Sequence, residues 1–226
     1  MNFYRETTTD EDLRTIILVA FSFEDIEMIE LACFTVLQSQ IGGRANETFT
    51  WLFSHMNVVD FINENQLCKQ FQLNVRRDKN ARQQEPRLFA QADNDHWFKD
   101  FYFVLAMLLL FRCTGACSFT KGKISDNYPI FPLFYSKHQK DKEIKAKSKN
   151  NKSSSLVSHT YNFLLGRILK RFDLPPKNLT LPKNSKLNPD LTNHGNKKYT
   201  AQTLADLGMC GIWIMYRLGL LIKSVS

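Results

Sequence analysis

The feature that most constrains this chain is a run of eleven consecutive residues, 101–111, that carries no charged side chain. A helix that is apolar on every side lies either inside a protein core or in a membrane. Eleven residues are too few to cross a bilayer, which needs about 20. A longer span would include Arg112, and burying an arginine at the bilayer centre costs about 2.5 to 3.5 kcal/mol. We therefore predict a core helix over 96–112, with membrane association as the alternative.

A second apolar run, 208–222, has the same character and contains Arg217. We predict a last helix over 201–222 and expect it to form the centre of the core together with 96–112. The predicted fold class is mainly α: an irregular helical domain with at most a minor short β element.

Apolar residues that recur every three to four positions predict the remaining helices. The first follows Thr8 and carries its apolar stripe from Leu13 to Phe21, and the others span residues 24–40, 46–65 and 156–172. Thr8 and Glu11 fit a capping box for the first helix, although the β-branched run 15–21 also suits a short buried strand. Gly42 and Gly43 end the second helix.

A polar–apolar alternation over 70–75 predicts a short strand, with a strand pair near 70–90 as the minor β element. The segment 76–87 has no apolar periodicity, and we expect an exposed loop.

The segment 137–155 contains seven lysines and one large apolar residue, Ile144. Such a composition buries too little apolar surface to offset the entropy of ordering. We therefore predict a Lys-rich flexible linker at 137–155, preceded by an irregular segment at 121–136. The linker would divide a helical core with an acidic N-terminal part (1–136) from C-terminal helices (156–226) that pack back onto the same core. An irregular, proline-containing arm is expected at 174–198.

Charge is distributed unevenly along the chain. Residues 1–66 carry 3 basic and 11 acidic side chains, whereas residues 67–226 carry 27 basic and 11 acidic ones. This asymmetry predicts a polyanionic partner for the basic part, or an internal contact between acidic and basic parts. The ladder Glu24, Glu27 and Glu30 is expected to be solvated or docked onto the basic part.

The predicted helix 156–172 carries a stripe of cationic and aromatic residues beside its apolar face. Such a surface can contact phosphates by charge and stack on unpaired bases. The candidate nucleic-acid-binding residues are His159, Phe163, Arg167, Lys170 and Arg171 on the helix and Arg76, Arg77 and Arg82 in the loop. The alternative is an ordinary solvated helix face.

Motifs for phosphate-loop, dinucleotide-binding, α/β-hydrolase and zinc-deaminase chemistry are missing from the sequence. The sequence therefore favours a non-enzymatic accessory or regulatory protein that binds nucleic acid or another polyanion, with no cofactor and no metal site. A protein-interaction component that uses its acidic N-terminal helices is the main alternative, and membrane attachment is less favoured. The chain start lacks the pattern of a secretory signal, and the cysteines are expected to be reduced core thiols, both of which favour the cytoplasm.

Overall fold

The computed structural model describes residues 7–42, 48–63, 66–74, 87–89, 95–114, 128–147, 155–211 and 214. Within these ranges the helices are α1 (Asp10–Phe21), α2 (Ile26–Ile41), α3 (Phe101–Thr114), α4 (Pro132–Lys147), α5 (Leu156–Asp173) and α6 (Asn193–Asp206). The strands are β1 (Met56–Asn63), β2 (Gln66–Asn74) and β3 (Arg87–Phe89). The mainly α class predicted from the sequence is confirmed.

Helix α1 begins at a capping box that lies one residue later than the predicted one. The Asp12 amide donates to Thr9 Oγ1 at 3.2 Å, and the Thr9 amide donates to Asp12 Oδ2 at 2.8 Å. This reciprocal pair satisfies two amides that a helix start otherwise leaves unpaired. The segment is therefore a helix, and the strand alternative is wrong.

Helix α2 is the most buried helix, since 13 of its 16 residues lie in the interior. It ends at Gly42, whose φ of 64° is in the left-handed region that glycine adopts without strain. Its buried hydroxyl groups are satisfied locally: Thr35 donates to the Leu31 carbonyl at 2.8 Å and Ser39 to the Val36 carbonyl at 2.7 Å.

The prediction that 96–112 and 201–222 form the centre of the core is wrong for the first of these helices and for residues 201–211, which are all half-buried or exposed. Helix α3 buries one face against α2 but leaves Phe103 and Leu110 exposed. Helix α2 takes the central place instead, because its polar side chains find partners inside the protein and do not require solvent.

Phe34 of α2 lies at the centre of an aromatic cluster that joins three helices. Its ring centroid is 4.8 Å from that of Phe134 in α4 and 5.8 Å from that of Tyr161 in α5. Phe131, which precedes α4, contacts it edge-on at 5.6 Å. Such pairs add about 0.5 to 1.5 kcal/mol each beyond their buried area.

The predicted helix 46–65 is wrong over its second half, where β1 (Met56–Asn63) pairs antiparallel with β2. Strand β2 contains the predicted strand 70–75 up to Asn74, and it pairs in turn with β3 through Gln72 and Phe89. The three strands form one sheet in the order β1-β2-β3. Pairing with β2 overrides the helical spacing in 56–63, which periodicity alone cannot anticipate.

The expectation of an irregular and flexible segment is wrong over 132–147, where α4 lies. Two acidic side chains explain the order. The Glu30 carboxylate accepts the amides of Leu133 and Phe134 at 2.9 and 3.3 Å, at the start of α4. Asp141, buried on α4, accepts the Ser155 hydroxyl and the Leu156 amide at 2.8 and 3.0 Å. These contacts join α4 to α2 and to the start of α5. The amino-acid composition of 137–155 shows its many lysines but does not show these two long-range contacts.

Helix α6 begins earlier than predicted, at Asn193, and is followed by Gly208 with a φ of 75°. Its buried Asn196 donates to Gln38 Oε1 at 3.0 Å and accepts from the Thr8 hydroxyl at 3.1 Å. These hydrogen bonds of Asn196 connect α6 to α2. Because α6 begins at Asn193, the predicted irregular arm at 174–198 is confirmed only up to residue 192. Of the predicted helix 201–222, residues 212, 213 and 215–222 lie outside the described part of the chain.

No helix within the described ranges combines the length and the apolar character that crossing a membrane demands. Cys33 is a buried free thiol, as predicted, but Cys210 is exposed, and so its assignment to the core is wrong.

Candidate nucleic-acid interface

Helix α5 positions the candidate surface. Its periodicity is confirmed: Val157, Tyr161, Leu164, Leu165 and Ile168 are buried. The opposite side presents His159, Phe163 and Lys170 to solvent, with Arg167 and Arg171 partly exposed beside them. The five helical residues predicted to bind nucleic acid therefore lie on the accessible side of one helix.

Arg167 contacts the turn that connects α1 and α2. Its Nη1 lies 3.3 Å from Asp25 Oδ2, and its guanidinium carbon lies 5.0 Å from the centroid of the Phe23 ring. Asp25 also accepts the Glu27 amide at 2.9 Å and thereby caps α2. The ion pair partly neutralises Arg167 and links α5 to the start of α2.

Arg171 lies over the same ring, with its guanidinium carbon 4.2 Å from the Phe23 centroid. It also donates from Nη2 to the Ser22 carbonyl at 2.6 Å. A guanidinium over an aromatic face gains about 0.5 to 2 kcal/mol and keeps its charge. Phe23 and Ser22 therefore hold Arg171 in one orientation without cancelling its charge.

The connecting turn contains the one non-glycine residue with positive φ in the described part of the chain, Glu24 at 54°. The left-handed conformation at Glu24 reverses the chain between Phe23, under the two arginines, and Asp25, at the cap of α2. Glu24 and Glu27 are exposed near this turn, and Asp173 is exposed at the end of α5. Acidic side chains therefore lie at the turn and at the end of α5, close to the cationic residues.

The arginines line an open depression of about 350 Å³. Its lining residues are Phe23, Arg167, Lys170, Arg171, Leu174 and Pro176. Among the described residues, no carboxylate pairs with Lys170 or Arg171. The depression thus combines an aromatic wall with two cations that keep their charge, and this arrangement suits a phosphate group.

The sequence did not single out Phe23, Leu174 or Pro176 as parts of this surface. Phe23 lies in a short connection between two helices, and no local pattern indicates that two arginines 144 and 148 positions later cover it. The loop residues Arg76, Arg77 and Arg82 lie outside the described residues, so their predicted role stays a prediction.

Internal contacts between the acidic and basic parts of the chain, one of the two alternatives drawn from the charge asymmetry, are present. Among the described residues, three ion pairs distant in sequence join an acidic residue of 1–66 to a basic residue of the remainder. They are Asp10 with Lys99, Glu30 with Arg112, and Asp25 with Arg167. Some of the basic side chains that could have contacted a polyanionic partner therefore make ion pairs within the fold.

The pair of Glu30 and Arg112 is fully buried, with Arg112 Nη2 3.2 Å from Glu30 Oε2. Burial is the main cause that raises the pKa of Glu30 from 4.5 to about 7, although the Arg112 charge and the α4 amides lower it. Burial likewise raises the pKa of the neighbouring Cys33 thiol, which donates to the Val104 carbonyl at 2.7 Å. This cluster holds α2, α3 and α4 together.

The acidic ladder is divided by the structure, because Glu24 and Glu27 are exposed whereas Glu30 is buried. In the described part of the chain, no three histidine, cysteine or acidic side chains come together in a way that would hold a metal ion.

Comparisons with protein-family models, curated proteins and solved structures find no match to this chain.

Proposed function

We propose that this protein is a non-enzymatic accessory protein that binds nucleic acid through the exposed side of α5. The observation that carries the proposal is the depression in which Arg171, fixed over Phe23, lies beside Lys170 with no carboxylate partner among the described residues. Phosphate contacts supply most of the affinity in sequence-independent nucleic-acid binding.

Two features support a binding role over an ordinary solvated face. First, Arg171 is ordered before any ligand arrives, so binding costs less side-chain entropy. Second, the cations share their side of the helix with the exposed Phe163, and a mixture of cationic and aromatic side chains is typical of surfaces that bind nucleic acid.

Lys170 is the residue that tests the proposal most cleanly. Arg167 and Arg171 also hold the turn between α1 and α2, so their substitution changes stability as well as charge. Lys170 is exposed and makes no described ion pair. We expect Lys170→Glu to weaken binding of a mixed-sequence oligonucleotide about tenfold at low salt, since it removes a phosphate contact and adds repulsion.

Fluorescence anisotropy with a labelled oligonucleotide measures this effect. Lys142→Glu is the matched control, because Lys142 is also an exposed lysine, on α4, and its reversal changes the net charge by the same amount. Equal losses in the two variants would mean that net charge alone drives binding and would contradict the assigned surface. Absence of binding by the unmodified protein at low salt would remove the proposal.

A further inference from the structure

We infer that the α5 surface selects unpaired nucleotides over duplex nucleic acid, with a base stacked on Phe163 and the adjacent phosphates at Lys170 and Arg171. This inference rests on the proposed function and specifies its ligand. It starts from Phe163, whose side chain is 61% exposed although it sits in a helix that buries five other residues.

Phe163 takes no part in the hydrophobic core. Among the described residues, neither the core cluster nor the aromatic pairs include its ring. A single exposed apolar residue is common on protein surfaces. What distinguishes Phe163 is its neighbours, because it shares a helix face with His159 and Arg167, one turn away on either side.

The spacing along α5 matches a short strand of nucleic acid. At a rise of 1.5 Å per residue, Phe163 lies about 6 Å from Arg167 and about 10 Å from Lys170 along the helix axis. One short stretch of an extended strand can therefore contact the ring and the depression together.

The exposed ring of Phe163 is the reason to expect a single-stranded ligand. In a duplex, both faces of each base are covered by neighbouring bases, so a surface phenylalanine has no base face to contact without unstacking the helix. An unpaired base offers its face to an aromatic side chain at no such cost, and this contact tolerates any sequence. The depression beside it is open and shallow, which suits the backbone of a flexible strand.

Phe163 variants test this inference. We expect the unmodified protein to bind a labelled mixed-sequence single strand more tightly than the duplex of the same sequence at low salt. Phe163→Leu is expected to weaken single-strand binding about tenfold and thereby to lower the ratio of single-strand to duplex affinity, because leucine keeps the apolar surface but lacks an aromatic face. Phe163→Tyr retains the ring and is expected to bind like the unmodified protein.

The outcomes separate this inference from the proposed function. Two results would overturn the inference: duplex binding as tight as single-strand binding, or an undiminished single-strand affinity in Phe163→Leu. In either case the proposed function still holds if Lys170→Glu weakens nucleic-acid binding. Equally effective competition by poly-glutamate would show a general polyanion site and overturn the inference. No binding of either nucleic acid would overturn both. Thermal unfolding of each variant checks that the fold is retained, as expected for an exposed position.

Discussion

Above about pH 7, where Glu30 is ionised, replacing Arg112 with methionine is expected to lower the free energy of unfolding by about 3 to 5 kcal/mol, the usual cost of removing one partner from a buried ion pair. Arg112 and Glu30 are both buried, and Arg112 supplies the charge that offsets the desolvation of the carboxylate. Without it, Glu30 is left in the interior with the amides of Leu133 and Phe134 as its remaining partners among the described residues. Chemical denaturation followed by circular dichroism measures the loss.

The double variant Arg112→Met with Glu30→Gln is the control for this prediction. Glutamine is uncharged, and its side-chain oxygen still accepts the amides at the start of α4. Since replacing a whole buried pair by uncharged groups is often nearly neutral, the double variant should recover most of the lost stability. If Arg112→Met lowers the free energy of unfolding by less than about 1 kcal/mol, the result would contradict burial of the Glu30–Arg112 ion pair away from solvent screening.

The second large effect is a pH dependence that Glu30 imposes on stability. Its pKa is about 7 in the folded protein against an ordinary value of 4.5, so between these pH values the folded state binds more protons than the unfolded state. The contribution of Glu30 to stability is therefore complete below about pH 4.5 and is lost as the pH rises toward 7. Its slope cannot exceed about 1.4 kcal/mol per pH unit.

Glu30→Gln isolates this contribution. Other carboxylates produce slopes of their own, so the informative quantity is the difference in unfolding free energy between the unmodified protein and Glu30→Gln at successive pH values. We expect the variant to gain stability relative to the unmodified protein as the pH rises from 4.5 to 7. Parallel pH profiles for the two proteins would show that Glu30 does not titrate in this window.

The amphipathic helix α5 illustrates what the sequence predicts well. Its apolar residues recur at helical spacing, and proline follows its end, so both its bounds and its buried face were predicted almost to the residue. The five candidate residues on α5 lie on its accessible side for the same reason: burial of one face determines which side chains remain exposed.

Long-range contacts account for the parts of the fold that were predicted wrongly. Strand β1 forms because β2 pairs with it, and α4 is ordered because Glu30 and Asp141 accept amides at the starts of α4 and α5. From the sequence alone, Arg112 is recognisable only as an obstacle to membrane insertion. Its partner is 82 positions away, and no local pattern connects the two.

The candidate surface was predicted in part for a related reason. The cations were visible as a stripe on one helix, but the residues that orient two of them were not. Phe23 lies under Arg167 and Arg171 only because the turn at Glu24 packs against α5 in the folded protein. Arg167, which the sequence predicts to bind nucleic acid, also forms an ion pair with Asp25 within the protein. This pair partly neutralises its charge.

The most direct test of nucleic-acid binding at α5 is the salt dependence of single-strand affinity, measured for the unmodified protein and for Lys170→Glu. Each phosphate contacted on a single strand contributes a slope of about −0.7 to the plot of log affinity against log salt concentration. Contacts at Lys170 and Arg171 predict a slope of about −1.4 or steeper for the unmodified protein, and a slope shallower by about 0.7 for the variant. An affinity that does not change with salt, or the same slope in both proteins, would contradict phosphate binding at this surface.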